Sequence, residues 1–215
     1  MLIIIGNQKG GAGKSTLTLL LANFLTLVKK RRVTVIDMDY QQSLAQKYEK
    51  SKILENTEPY EVIAAGLEHF PSMFTVLSQS PEHIVIIDLP GKLDDDGLMP
   101  VFASADLVLC PFSYDEFSFD STILFSVVLK KINKDVPVFF VPNRVKGNVK
   151  YETQTEVEHQ LIRFGSLTAA ISDRVDFQRT STFQTPLVLY PIILPVFEKI
   201  YESHIGLSNP KPDSQ

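Results

Sequence analysis

The feature that most constrains this chain is the run Gly6-Asn-Gln-Lys-Gly-Gly-Ala-Gly-Lys-Ser-Thr16, set between the apolar tetrapeptide Leu2-Ile-Ile-Ile5 and a leucine-rich segment that begins at Leu17. The tetrapeptide reads as a buried strand, and the spacing from Lys14 to Val28 reads as a helix. Between them, glycines at 10, 11 and 13 permit the curvature that turns successive N–H groups inward. The backbone N–H groups of Gly10, Gly11, Ala12 and Gly13 then converge with the positive end of the helix dipole on one point, which suits a polyphosphate. Lys14 supplies a charge for the β- and γ-phosphates of a nucleoside triphosphate, Ser15 a hydroxyl for Mg²⁺, and Thr16 a contact for the α-phosphate. A nucleoside triphosphate with Mg²⁺ is the expected ligand.

A loop of this kind needs a parallel sheet behind it, and the rest of the chain supplies the pattern. Apolar runs at 2–5, 33–36, 84–87, 107–110 and 136–141, with a weaker one near 167–171, read as strands. Stretches at 14–28, 41–53, 59–70, 118–132, 152–164 and 194–205 have helical spacing. This alternation predicts an α/β fold: a mostly parallel twisted sheet with right-handed crossovers and helices on both faces. The strands lack polar alternation, as a sheet covered on both sides requires.

With 215 residues, 44% of them hydrophobic, one domain is expected over 1–207. The polar, proline-containing stretch 208–215 is expected to be a disordered tail. Cys110 lies in an apolar run and reads as a buried thiol; a lone cysteine excludes any disulfide within the chain. The histidines, at 69, 83, 159 and 204, are too dispersed to suggest a metal site, so the only metal expected is the one a nucleotide carries. The N-terminal apolar run is too short for a signal peptide or a membrane span, which predicts a cytoplasmic protein. A net charge of −4 exerts no global pull on nucleic acid, so any DNA contact must come from a local patch or from joining two subunits.

Acidic residues stand where the phosphate loop would need them. Val33-Thr-Val-Ile36 is followed by Asp37-Met-Asp39, which places two carboxylates on one side of the strand's C-terminal end. Ile84-Val-Ile-Ile87 is closed by Asp88-Leu-Pro-Gly91, an apolar run ending in the Mg²⁺-linked aspartate of a Walker B element. Ser15, Asp37 and Asp88 are therefore the metal candidates. Residues 89–97 carry the turn formers of a mobile loop, and the aspartates at 94–96 read as a solvated turn or a helix start.

The loop departs from the usual Gly-x-x-x-x-Gly-Lys-[Ser/Thr] pattern: Gln8 holds the first position, and Lys9 precedes Lys14 by five residues. Lys9-Gly-Gly-Ala-Gly-Lys-Ser15 resembles the deviant Walker A motif of the ParA/MinD superfamily of P-loop ATPases, whose architecture is of the SIMIBI type. Asn7-Gln-Lys-Gly-Gly11 resembles its ParA branch, and the chain is similar to the short partition ATPases. The resemblance implies that Lys9 crosses to the nucleotide of a partner subunit, so that an ATP-dependent homodimer sandwiches two nucleotides. It also implies that Asp39 orients the attacking water, that Asp37 supports Mg²⁺ through its water shell, and that Asn143, after strand 136–141, meets the adenine edge. Lys9, Lys14 and Asp39 become the catalytic candidates for slow, partner-stimulated hydrolysis of ATP to ADP and phosphate. Where the family usually has proline after the second aspartate, this chain has Tyr40. That substitution puts the hydrolysis rate in question more than binding.

The branches of the family differ in ways the sequence can read. Nitrogenase-type reductases supply two cysteines per subunit, and this chain has one. MinD-type proteins end in a basic amphipathic helix, whereas the last helix here carries Glu198, Lys199 and Glu202, so membrane attachment is not expected. What remains is partition of DNA, plasmid or chromosomal, or positioning of another cargo. The implied partners are non-specific DNA, with Arg174 and Arg179 as candidate contacts, and a stimulating ParB-like protein; the implied location is the nucleoid. No helix-turn-helix extension precedes the loop, so operator-specific repression is not expected. The cluster Lys29-Lys-Arg-Arg32 ends the first helix about 20 Å from the phosphates at 1.5 Å per residue, and reads as a solvated cap. Two other readings stay open: a dethiobiotin-synthetase-like ligase that uses ATP on a small molecule, and a degenerate member that binds ATP and dimerises but hydrolyses little.

Overall fold

A computed structural model of the chain describes residues 1–53, 57–77, 79–80, 82–92, 95–147 and 149–208. Its strands are β1 (Leu2–Ile5), β2 (Val33–Asp37), β3 (Glu61–Ala64), β4 (Ile84–Asp88), β5 (Leu107–Phe112), β6 (Val138–Pro142) and β7 (Ser166–Leu167). They form one seven-stranded sheet in the order β3-β2-β4-β1-β5-β6-β7, and every pairing is parallel. The helices are α1 (Lys14–Asn23), α2 (Ser43–Ile53), α3 (Phe70–Leu77), α4 (Leu98–Ala103), α5 (Glu116–Ile132), α6 (Gln154–Leu161) and α7 (Tyr190–Ile200). Helices α1 and α7 each run on into a π-helical turn, Phe24–Val28 and Tyr201–Ile205.

Alternation along β1 shows why the sheet is covered on both sides. Ile3 and Ile5 join a buried cluster with Leu17 and Leu20 of α1, Tyr48 of α2 and Phe197 of α7. Leu2 and Ile4 point the other way, into a cluster with Phe70 of α3, Phe102 of α4, Phe125 of α5 and Leu161 of α6. Period-two geometry sends successive residues to opposite faces, and here both faces are apolar, so the strand reads as a continuous hydrophobic run. Cys110 is fully buried in the second cluster, and burial pushes its thiol well above the ordinary range.

Three expectations about elements are corrected. The segment 59–70 is not a helix: it holds β3 and a 3-10 turn at Leu67–His69, and α3 begins only at Phe70. β3 is an edge strand bonded to β2 alone; of its residues Val62 is buried while Glu61 and Ala64 are exposed. Its conformation comes from the partner strand rather than from its own pattern. The strand expected at 167–171 shrinks to β7 plus an isolated bridge, Val145 to Ser172. The last helix starts at Tyr190 rather than 194, since Pro191 in the first turn lacks an N–H that would have no helical partner there. Helix α3 was not expected; α4 begins at Leu98, just after the aspartates that read as a turn or a helix start. Of the anticipated tail, Ser208 ends a 3-10 turn and 209–215 lie outside the described residues, as do 93 and 94 of the anticipated loop. Among the described residues, no helix is long and apolar enough to cross a membrane.

Candidate functional site

β1 lies mid-sheet between β4 and β5, and the loop at its C-terminal end sits in the crevice where strand connections diverge to the two sides. Gly11 and Gly13 have φ of 76° and 92°, the left-handed region that glycine enters without strain. Gly13 is required twice over, because a Cβ there would lie 2.2 Å from Asn143 Nδ2. That nitrogen donates to the Ala12 carbonyl at 2.8 Å, which ties the end of β6 to the loop.

Asn7 supplies a second tether. It is buried; its Nδ2 donates to the Pro111 carbonyl (2.8 Å) and to Thr122 Oγ1 (2.9 Å), and its Oδ1 accepts from the Lys9 N–H (3.0 Å). The loop is thus anchored to β5 and α5 before any ligand arrives. A cleft of about 470 Å³ opens over it, lined by the loop glycines with Lys14, Ser15, Thr16, Asp39 and Arg144.

The charged groups beneath the cleft are held by different means. Lys14 is buried, and its Nζ lies 3.4 Å from the Lys9 carbonyl. Burial lowers its ammonium below the ordinary value, with Asp88 and Asp39 opposing. Ser15 Oγ donates to Asp88 Oδ2 at 2.6 Å, and Thr18 Oγ1 donates to Asp88 Oδ1 at 3.3 Å. Burial pushes the Asp88 carboxyl up to about 7; the Ser15 bond opposes this and the charge of Asp37 adds to it. Asp37 stands beside Asp88 in the β2–β4 register. Its Oδ1 accepts from the Asp39 N–H, and its Oδ2 accepts from Leu44 and Ala45 at 2.9 and 3.0 Å, capping the start of α2. Burial raises the Asp37 carboxyl, and those three backbone donors oppose the rise. Asp39 lines the cleft, its Oδ1 accepting from the Gln41 N–H. Beside it the Tyr40 hydroxyl donates to Asp95 Oδ2 at 3.2 Å, linking the segment after β2 to the segment after β4.

Lys9 behaves differently from Lys14. Among the described residues it does not line the cleft, and its Nζ lies over the Phe117 ring, 5.4 Å from the centroid. Next to the cleft, a second cavity of about 350 Å³ is lined by Thr16, Asn143, Arg144, Asp173, Arg174 and Phe177. Arg174 therefore borders the space beside Asn143, while Arg179 stands 3.6 Å from Asp176 with its side chain exposed. Lys14, Ser15, Thr16, Asp37, Asp39, Asp88 and Asn143 come together at one end of the sheet; Arg179 lines neither cavity. Sequence reasoning assigned no role to Asn7, Thr18, Arg144 or Phe117. The repeat of Thr18 one helical turn after Lys14 and Ser15 was a usable signal; Asn7 stood inside the segment that resembles the ParA branch, but neither its tether nor Phe117 was legible, because their partners lie a hundred residues away.

The profile of the CobQ/CobB/MinD/ParA nucleotide-binding domain matches residues 3–187. The chain belongs to this family. A plasmid partition protein from Borrelia burgdorferi B31, solved with AMPPNP, superposes with a TM-score of 0.71 at 26% identity, covering 93% of this chain and 99% of that one. The Pyrococcus furiosus cell division ATPase MinD (TM-score 0.71, 19% identity, 94% and 98% covered) and apo McdA from Cyanothece (0.70, 16%, 94% and 98%) share the fold. No curated protein sequence matches the chain. The expected membership of the ParA/MinD superfamily and the expected parallel P-loop architecture both hold.

Proposed function

We propose that this ParA/MinD-family chain is a Mg-ATP-dependent dimerising ATPase that serves DNA partition or cargo positioning. The observation that carries the reading is the divergence of its two loop lysines. Lys14 is buried beneath its own cleft, while Lys9, five residues earlier in the same loop, is turned out of it toward Phe117. A cation held outside its own site supports a role at the nucleotide of another subunit.

Within one subunit, the loop N–H groups and Lys14 bind the triphosphate, and Asn143 with Thr16 flanks the neighbouring cavity that would take the nucleoside. The oxygen donors fit a hard cation: Ser15 Oγ and Asp88 Oδ2 already stand 2.6 Å apart at the cleft, with Asp37 behind them. Mg²⁺, when bound, neutralises β- and γ-phosphate charge. Both Asp37 oxygens accept from backbone N–H groups, so its carboxylate would support a bound ion through water rather than as a direct ligand. Asp39, at the cleft wall, orients the water that attacks the γ-phosphate, and Lys9 from the partner subunit offsets charge that develops there. Arg174 and Arg179 are the proposed DNA contacts, and a ParB-like protein the proposed stimulator; the Borrelia partition protein at 26% identity supports this branch.

Light scattering with Mg-ATP, with ADP and without nucleotide tests the reading. Wild type is expected to double its mass with ATP alone, and Lys9→Ala to stay monomeric. Mass that ignores nucleotide overturns the switch and favours a small-molecule enzyme. For the DNA arm, Arg174→Ala with Arg179→Ala should flatten the salt dependence of DNA binding, and unchanged binding removes the assignment.

A further inference from the structure

Phe117 is a large apolar side chain that neither buried cluster nor the nucleotide cleft takes up: 74% of it is exposed, although it belongs to a well-anchored helix. It sits in the first turn of α5, whose N-cap Asp115 accepts from the Ser118 N–H at 2.9 Å. The Asn7 amide joins that helix at Thr122 to the backbone of Lys9. The backbone of Lys9 and the helix that carries Phe117 are therefore tied together through Asn7, and in that frame the Lys9 Nζ lies 5.4 Å from the centroid of the Phe117 ring.

We propose that Phe117 is an anchor of the contact with a second copy of this chain, and that in the separated subunit its ring parks Lys9 away from its own cleft. The inference rests on the dimer reading given above. If Lys9 is to reach a neighbour's nucleotide, whatever receives it must close over the ring beneath it, so the ring and the lysine share one interface. Three exposed acids that neighbour Phe117 at the start of α5, Asp115, Glu116 and Asp120, argue against nucleic acid or an anionic lipid surface as the occupant. Burial raises the Asp115 carboxyl, but bonds from Ser113 and the Ser118 N–H, with the charge of Lys9, outweigh it and hold the group below its ordinary value. Its negative charge therefore persists at neutral pH. An exposed aromatic ring fixed on a helix loses little conformational freedom when covered, which is what an interface anchor needs.

The chain contains no tryptophan, so Phe117→Trp introduces a single fluorophore at the site in question. With Mg-ATP its emission is expected to move to the blue and acrylamide quenching to fall, with no such change on ADP or on DNA alone. Phe117→Ala is expected to weaken the ATP-dependent dimer about tenfold or more while leaving ATP affinity of the subunit unchanged. Loss of dimerisation in F117W with ATP affinity retained would also place the ring in the contact. If wild type and F117W dimerise while the indole stays exposed, or F117A dimerises like wild type, the inference is wrong and the dimer reading survives. If wild type fails to dimerise at all, both fall together.

Discussion

The two ends of the sheet each hold lysines, and the chain treats them in opposite ways. At the C-terminal end of the strands, Lys14 is buried with its ammonium 3.4 Å from one carbonyl and its pKa lowered by burial. At the other end, Lys29 pairs with Glu198 and lies over the rings of Phe24 and Tyr201 at 5.4 and 4.6 Å. One charge is left for something the chain does not contain; the other is spent on pinning the last helix to the first. Charge count alone does not separate them, since the 29–32 cluster is the denser of the two. What separates them is whether the chain's own groups saturate the cation.

The comparison is tested most severely at Lys14. Lys14→Ala is expected to weaken ATP binding by at least about 100-fold, the order of a lost charge-assisted contact to phosphate at roughly 3 kcal/mol. Folding stability without nucleotide should change by less than about 1 kcal/mol, because the buried ammonium gains little from its own chain. Calorimetric titration and denaturant unfolding read the two quantities separately. A large stability loss with modest loss of binding would make Lys14 a structural residue like Lys29 and erase the distinction.

This distinction was only half legible in the sequence. The phosphate loop is local, its glycines, lysine and serine lying within eight residues, and its strand and helix follow from adjacent patterns. β3 was misread because an edge strand of four residues takes its conformation from β2. Asp37 was legible as an acidic position beside the loop, but not as the cap of α2, which depends on the chain folding back seven residues later. Asn143 is read from the sequence as the adenine contact, and it lines the cavity beside the loop; the additional bond of its Nδ2 to the Ala12 carbonyl, between residues 131 apart, is one that no spacing rule reaches. The Lys29–Arg32 cluster was read as a solvated cap, yet Lys29 is tied to Glu198, 169 residues away. Local motifs announce ligand sites; saturation of a charge depends on contacts distant in sequence.

Asp88 sharpens the comparison from the acidic side. Its carboxyl is pushed up to about 7 by burial, so the folded chain holds a proton there that the unfolded chain has released above the ordinary carboxylate range. The stabilisation is fully present below about pH 4 and is lost as pH rises through about 7. In metal-free, nucleotide-free solution, the melting temperature of wild type should therefore decline relative to Asp88→Asn across that window, and the variant should be the more stable form above it. Asp37 shifts in the same direction and leaves a residual slope in the variant. Parallel curves for the two proteins would show that Asp88 is already compensated by its own chain, as Lys29 is.

The smallest effect is expected at Lys29 itself. Its partly exposed pair with Glu198 is worth a few tenths of a kcal/mol to about 1, and the contacts with the Phe24 and Tyr201 rings add a comparable amount. Lys29→Met keeps the aliphatic stem against the rings and removes the charge, so a destabilisation of about 1 kcal/mol is expected. Part of that difference should vanish at high salt, where the wild-type ion pair is screened. ATP affinity should not change, because the cluster lies at the end of the sheet opposite the loop. A tenfold loss of ATP binding in Lys29→Met would mean that the docking of α7 on α1 reaches the phosphate site through α1, whose first turn carries Lys14 and Ser15 and whose continuation carries Lys29. The two ends would then be one coupled device rather than a ligand site and a clamp.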